Sequence, residues 1–216
     1  MTMRLQEVHP ALVHYPLALL PTSVLADVLG RLTGSDRLHE LGRYTMPLAA
    51  ASGLVAGVFG FIAQESVEAD GEAHDLLVTH RTLNLAAVAL SALMVKERLR
   101  TKRPSWTYLF GGLAGLSVVG YSAYIGGKMV YTHGVGVEAA AGVREAAAPE
   151  VAFGTAAEVV RQSVRHVASG VRHALRDAMQ GELIPALRPS ERNGASRSEA
   201  PAPRAGSPRT SDPPAR

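Results

Sequence analysis

The sequence predicts an all-α, polytopic membrane protein: a four-helix bundle followed by an amphipathic helix and a disordered tail. Two stretches of the 216-residue chain, 46–63 and 106–127, carry no charged residue. Each is long enough to cross the roughly 30 Å hydrocarbon core of a bilayer as a helix. The composition agrees, since 47% of the residues are hydrophobic and only 19% are charged, which is below the usual share of charge in soluble proteins.

Four predicted spans make up a membrane domain over residues 8–137. They cover about 13–32, 44–63, 76–95 and 106–127. Asp27 and Arg31 lie near the end of the first span, and we expect them to pair, because residues four apart are neighbours on one helix face.

The third predicted span is the most polar of the four. It contains His80, Arg81 and Asn84 within an otherwise apolar stretch. Polar groups inside a span are costly unless they face the interior of the bundle, which makes these residues functional candidates. His80 and Asn84 are four residues apart and share a helix face, so we expect that face to point inward.

Charges in the loops predict the orientation of the spans. Lys and Arg near span ends are retained on the cytoplasmic side, and both segments that follow spans one and three are rich in them. The segment 64–75, by contrast, carries acidic residues and no basic one. We therefore predict a multi-pass protein of the bacterial cytoplasmic (inner) membrane, with the acidic loop and both termini outside.

The region after the spans predicts a basic amphipathic helix over residues 150–184. Its apolar residues recur at spacings of three and four, namely Val160, Val164, Val167, Val171 and Leu175. Such a helix can lie on anionic headgroups, fold back on the bundle or bind a partner helix, and we expect His166 and His173 on it to be solvated. Residues 186–216 have no aromatic residue and are rich in Pro, Ser and Arg, so they are predicted to be disordered.

Histidines are predicted to gather at the outer face of the membrane. Alternating spans place the starts of spans one and three on the same side as the ends of spans two and four. His14, His80 and His133 are candidate ligands of haem b, because neutral imidazoles serve as axial haem ligands. In the alternative prediction, His9, His14, His80 and His133 hold zinc or copper.

Several classes of function are excluded or unsupported. The chain contains no cysteine, which excludes disulfides, thiolate metal sites and iron–sulfur ligation. It has no Walker loop, zinc-protease helix or nucleophile elbow, so no catalytic residue is predicted, and whether it is an enzyme stays open. The net charge of +3 is small and predicts no binding of nucleic acid.

Two motifs at the ends of the predicted domain resemble those of a bacterial membrane family catalogued as domain of unknown function 2231. They are HPALVHYP at 9–16 and GGKMVYTHGVGV at 126–137, similar to the family patterns HPxxVHxP and GGxLVYxHGxGV. The motif positions fall on His9, His14, Pro16 and His133. The resemblance implies four spans and no assigned activity. Some family members are joined to Rieske-type or cytochrome-like modules, which implies a membrane redox role, although this chain lacks the cysteines of such modules.

Three functions stay open at this point. The first is a b-type haem or other redox-centre protein that exchanges electrons with a partner protein at the outer face. The second is a histidine-based zinc or copper binding or transport protein. The third is a non-catalytic scaffold that recruits a partner through its C-terminal helix. The lipid bilayer is a partner in all three, and the sequence predicts no oligomeric state.

Overall fold

The computed structural model describes residues 3–4, 7–137, 150–151 and 156–187. The helices in this part of the chain are α1 Val8–Leu12, α2 His14–Thr33, α3 Asp36–Ser66, α4 Glu72–Arg100, α5 Trp106–His133 and α6 Ala156–Gln180. A two-residue strand, β1 (Met3–Arg4), pairs antiparallel with β2 (Glu150–Val151), and a short 3-10 helix, Pro185–Leu187, follows α6. The predicted all-α class with four long apolar helices and a further helix is confirmed.

Prolines shape the first span. α1 ends at Leu12 and α2 begins at His14, and Pro16 lies in the first turn of α2, where a missing backbone N–H is tolerated. Pro21 lies further inside α2, where it removes one hydrogen bond of the helix. Both prolines fall in the half of α2 that is nearest to the start of the chain.

Short connections turn the chain between consecutive spans. Gly34 ends α2 with a φ of 72°, a left-handed conformation that costs glycine little. Ser35 then caps α3, because its hydroxyl accepts a hydrogen bond from the Leu38 amide at 3.4 Å. Ser105 caps α5 in the same way, accepting from the Tyr108 amide at 3.1 Å. These turns make consecutive helices antiparallel neighbours.

The alternation of the four long helices gives the bundle two ends. We call the end where α2 and α4 begin and α3 and α5 finish the histidine end, and the opposite end the arginine end. An apolar core between them is formed by residues of all four helices, including Val24, Met46, Met94 and Leu109. A second apolar cluster around Leu76, Ile125 and Met129 lies towards the histidine end.

The outward surface of the bundle is apolar. Val8–Thr33, Asp36–Ser66, Glu72–Arg100 and Trp106–His133 are each long and apolar enough to cross a membrane. Large side chains on them face outward, among them Leu54 (59% exposed), Leu93 (65%) and Phe110 (66%). Continuous apolar surface of this kind is stable against lipid and unfavourable in water, which is why the bundle belongs in a bilayer.

Helix α6 packs back on the bundle, mainly against α3 and also against α4. Chain contacts place it in one unit with the spans, and this unit ends at Ala186. The predicted disordered tail, 186–216, lies outside the described residues apart from Ala186 and Leu187.

Candidate functional site

His80 belongs to a hydrogen-bonded group between α4 and α5 at the histidine end. Its Nδ1 is 2.8 Å from the Ser122 carbonyl oxygen and 3.0 Å from the Ser122 hydroxyl. Asn84 Nδ2 donates to that hydroxyl at 2.9 Å and to the His80 carbonyl at 2.8 Å. Because a carbonyl oxygen only accepts, the proton of a neutral His80 lies on Nδ1, and Nε2 keeps its lone pair.

His9 occupies a similar position between α1 and α3. Its Nδ1 is 2.9 Å from the Ala56 carbonyl oxygen, so Nδ1 is again the donor and Nε2 again has a free lone pair. The lack of a side chain at Gly60 makes room for this ring, because a methyl group there would lie 3.1 Å from His9 Cε1. His9 lies against Ala56 and Gly60 of α3, and His80 lies against Ser122 and Gly126 of α5, so both imidazoles lie towards the histidine end.

The other predicted ligands do not join them. His14 is exposed, with its Nδ1 3.2 Å from the Ala11 carbonyl oxygen. Val13 between α1 and α2 keeps helical backbone angles, so the five residues from His9 to His14 turn His14 about 140° away from His9. His133 lies 4.0 Å from a Glu72 carboxylate oxygen. Among the described residues no three His, Asp or Glu side chains are grouped so that they could hold a metal ion.

A second buried cluster lies at the arginine end. Asp27 of α2 and Arg98 of α4 are both fully buried, with Arg98 Nε 3.1 Å from Asp27 Oδ2. The other carboxylate oxygen is 3.3 Å from His39 Nδ1 of α3. Arg98 also donates to three backbone carbonyls, those of His39 at 2.5 Å, Thr101 at 3.0 Å and Lys102 at 3.1 Å. The two charges and most N–H groups of Arg98 therefore have partners within the bundle, as buried ions require.

Close packing surrounds this ion cluster. A methyl group at Gly42 would lie 2.5 Å from the Asp27 carboxylate, so only glycine lets α3 approach α2 this closely. Ser23 donates to the Gly42 carbonyl at 2.9 Å, and the Tyr108 ring of α5 lies 6.0 Å from the Arg98 guanidinium. The cluster thus joins all four long helices.

The sequence prediction for Asp27 was wrong. Asp27 pairs with Arg98, not with Arg31, whose guanidinium lies 5.0 Å from the centre of the Trp106 ring. Arg31 lies at an end of its span, where it reaches the surface, whereas a fully buried carboxylate needs a buried counter-ion. The sequence did not identify Arg98 as the partner, because Arg98 lies in the basic segment after span three, whose charges predict the orientation of the spans.

Helix α6 closes over the polar residues on the outer turns of α3 and α4 at the histidine end. Arg81, a functional candidate from the sequence, pairs with Asp177 of α6 and donates to Gln64 Oε1 at 3.0 Å. His173, which was predicted to be solvated, has a 42% exposed side chain, and its Nδ1 also lies 3.1 Å from Glu65 Oε1. Arg81 therefore anchors α6 to the bundle through this ion pair. The two residues lie far apart in the chain, so neither α4 nor α6 alone predicts the contact.

The fold and the composition of the helices define a polytopic α-helical membrane protein with four spans. A family model described as "Predicted membrane protein (DUF2231)" matches residues 6–139. The chain therefore belongs to this family, as its two end motifs indicated. None of the curated proteins and none of the solved structures compared with the chain matches it significantly.

Proposed function

We propose that this membrane protein binds one copper ion through His9 and His80 at the histidine end of the bundle. The supporting observation is the matched hydrogen bonding of the two rings: each Nδ1 donates to a backbone carbonyl of another helix. Metal-binding histidines usually carry this kind of outer hydrogen bond, which fixes the tautomer and aims the other nitrogen at the metal.

Copper fits this pair of ligands better than zinc does. Zinc sites in proteins use three or four protein ligands, and the described residues group no three suitable side chains. Among divalent first-row metals, copper binds a given nitrogen site most tightly. With two imidazoles from the protein, solvent or a third group completes the coordination of the ion.

Haem b is less well supported as the ligand. Two imidazoles match the axial ligands of haem iron, but a macrocycle also needs a large pocket between them. In the described part of the chain, two surface grooves of about 460 and 610 Å³ have no histidine in their lining. If the loop charges orient the chain as predicted, the copper site faces the outside, where a redox partner protein would reach it.

Copper titration of the detergent-purified full-length chain tests the proposal. We expect about one copper per chain in the wild type by elemental analysis, and binding weakened by more than about 100-fold in His9→Ala and His80→Ala, since loss of an outer hydrogen-bond partner alone costs up to that much. His14→Ala is the matched control, because this ring is exposed and does not reach the pair. Its copper content should equal that of the wild type.

Three results would contradict the proposal. The first is a wild-type protein that takes up no copper, and the second is an equal loss of copper in all three variants. The third is a haem absorption band in the purified protein that disappears in His9→Ala and His80→Ala, which would replace copper by haem. Circular dichroism of each variant separates loss of a ligand from loss of the fold.

A further inference from the structure

Helix α6 is amphipathic, and the bundle leaves most of its apolar stripe uncovered. The residues that face the bundle are small or polar, at spacings of three and four, and include Ser163, His166, Gly170, His173 and Asp177. Gly170 lies directly against Phe61, since a methyl group there would be 2.5 Å from the Phe61 ring. The docked face is therefore the less hydrophobic one.

The apolar stripe of α6 remains exposed. Its residues are Val160 (61% exposed), Val164 (62%), Val171 (40%), Leu175 (59%) and Met179 (82%). At about 100° per residue, this stripe lies roughly 135° round the helix from the face that contacts the bundle. In water such a stripe would be unfavourable, so something apolar covers it.

A row of arginines runs beside the apolar stripe. The residues are Arg161, Arg165, Arg172 and Arg176, and all four are exposed. They lie roughly 90° round the helix from the stripe, on the side away from the bundle. Arg161 pairs with Glu158 at 2.7 Å and lowers the pKa of that carboxyl through the hydrogen bond between them. The other three arginines present their charge outward along the helix.

The depth of α6 relative to the spans indicates what covers its apolar stripe. α6 crosses α3 between Val58, which lines an apolar groove with Val160 and Val164, and Glu65, which contacts His173. This is the last part of a membrane-spanning helix that finishes at Ser66, so it lies where acyl chains give way to headgroups. A helix at this level, with adjacent apolar and cationic faces, has the features of an interfacial membrane helix.

We propose that α6 lies in the headgroup region of the leaflet at the histidine end, where its valine and leucine stripe enters the acyl chains and its arginines bind anionic phospholipids. The groove of about 610 Å³ between α3 and α6 is almost entirely apolar and accommodates an acyl chain. Phosphate is the ligand that the arginine row recognises, because guanidinium groups pair with it in two-point hydrogen bonds. This inference is independent of copper binding.

Single-cysteine labelling of the full-length chain in vesicles tests the depth of α6. The chain contains no cysteine, so Val164→Cys and Ser169→Cys each carry one fluorescent label without background. Ser169 lies about 140° round the helix from Val164 and is the matched control. We expect lipids with brominated acyl chains to quench the label at position 164 several-fold more strongly than the label at 169, and aqueous iodide to do the reverse.

Two outcomes would overturn the proposal. Quenching of the 164 label by iodide and not by brominated lipid would place the stripe in water. Protection of the 164 label from both quenchers would show that protein, either a second copy or a partner, covers the stripe.

The arginine row is tested on the same labelled chain. Arg165, Arg172 and Arg176 are changed together to Gln in one variant, and together to Lys in a control that keeps their charge. In vesicles of phosphatidylcholine with phosphatidylglycerol, we expect the Gln variant to lose most of the lipid quenching at position 164 that phosphatidylglycerol adds. The Lys variant should keep most of it. Equal quenching with and without phosphatidylglycerol in the wild type would reject recognition of anionic lipid.

Discussion

Removing either charge of the Asp27–Arg98 pair should destabilise the bundle strongly. Both side chains are 0% exposed, so solvent does not screen them, and an orphaned partner of a buried pair costs about 3–5 kcal/mol. Arg98→Met also deprives the carbonyls of His39, Thr101 and Lys102 of their donor, at about 1 kcal/mol for each hydrogen bond. We therefore expect Arg98→Met to cost more than Asp27→Asn, which keeps the shape of the side chain.

The double variant Asp27→Leu with Arg98→Met should be less damaging than either single loss. Apolar replacement of a whole buried ion pair is often neutral or stabilising, so in the cycle of Asp27→Leu, Arg98→Met and the double variant we expect a coupling free energy larger than the effect of either single variant, that is, above about 3–5 kcal/mol. Unfolding in mild detergent, followed by the fluorescence of Trp106, gives these values. The control is Arg103→Met, because Arg103 forms an exposed pair with Asp36 at 3.0 Å, and exposed pairs contribute little.

The reasoning fails if the two single effects simply add in the double variant. It fails as well if either single variant changes the free energy of unfolding by less than about 1 kcal/mol, because removing the partner of a fully buried charge should cost about 3–5 kcal/mol. A large effect of Arg103→Met would show that the assay reports general sensitivity to arginine loss and not burial.

Two further predictions concern packing. Gly42→Ala should cost about 1–3 kcal/mol through overpacking, because its methyl group would lie 2.5 Å from the Asp27 carboxylate. The control Gly111→Ala meets nothing within 4 Å and should be neutral or stabilise the helix. Thermal unfolding compares the two variants, and equal effects would contradict the packing argument. Asp177→Asn removes the ion pair to Arg81 and should accelerate hydrogen exchange in α6 while leaving the spans unchanged; unaltered exchange in α6 would show that the pair does not anchor it.

Hydropathy predicted the four spans, because each span depends only on its own stretch of sequence. An uncharged stretch such as 106–127 has few alternatives to a spanning helix. The sequence also predicted the amphipathic helix α6, but it did not predict which face of α6 contacts the bundle. That face depends on Glu65 and Arg81, which lie in segments distant in the chain.

The candidate site was predictable only as a region. The sequence placed His9, His14, His80 and His133 at one end of the bundle, yet the side on which each ring lies depends on helix rotation. A difference of five residues turns His14 away from His9, which lies against α3. The choice between Arg31 and Arg98 as the partner of Asp27 depended likewise on relative helix height, which no local pattern records.

The Asp27–Arg98 pair also constrains how the protein is made. During synthesis α2 is made before α4, so Asp27 lacks the buried partner that it has in the folded bundle until Arg98 leaves the ribosome. A carboxylate within a span is costly when its buried partner is absent. The first span is therefore expected to remain beside the insertion machinery until the third arrives, so that the two halves of the bundle enter the bilayer as one cooperative event.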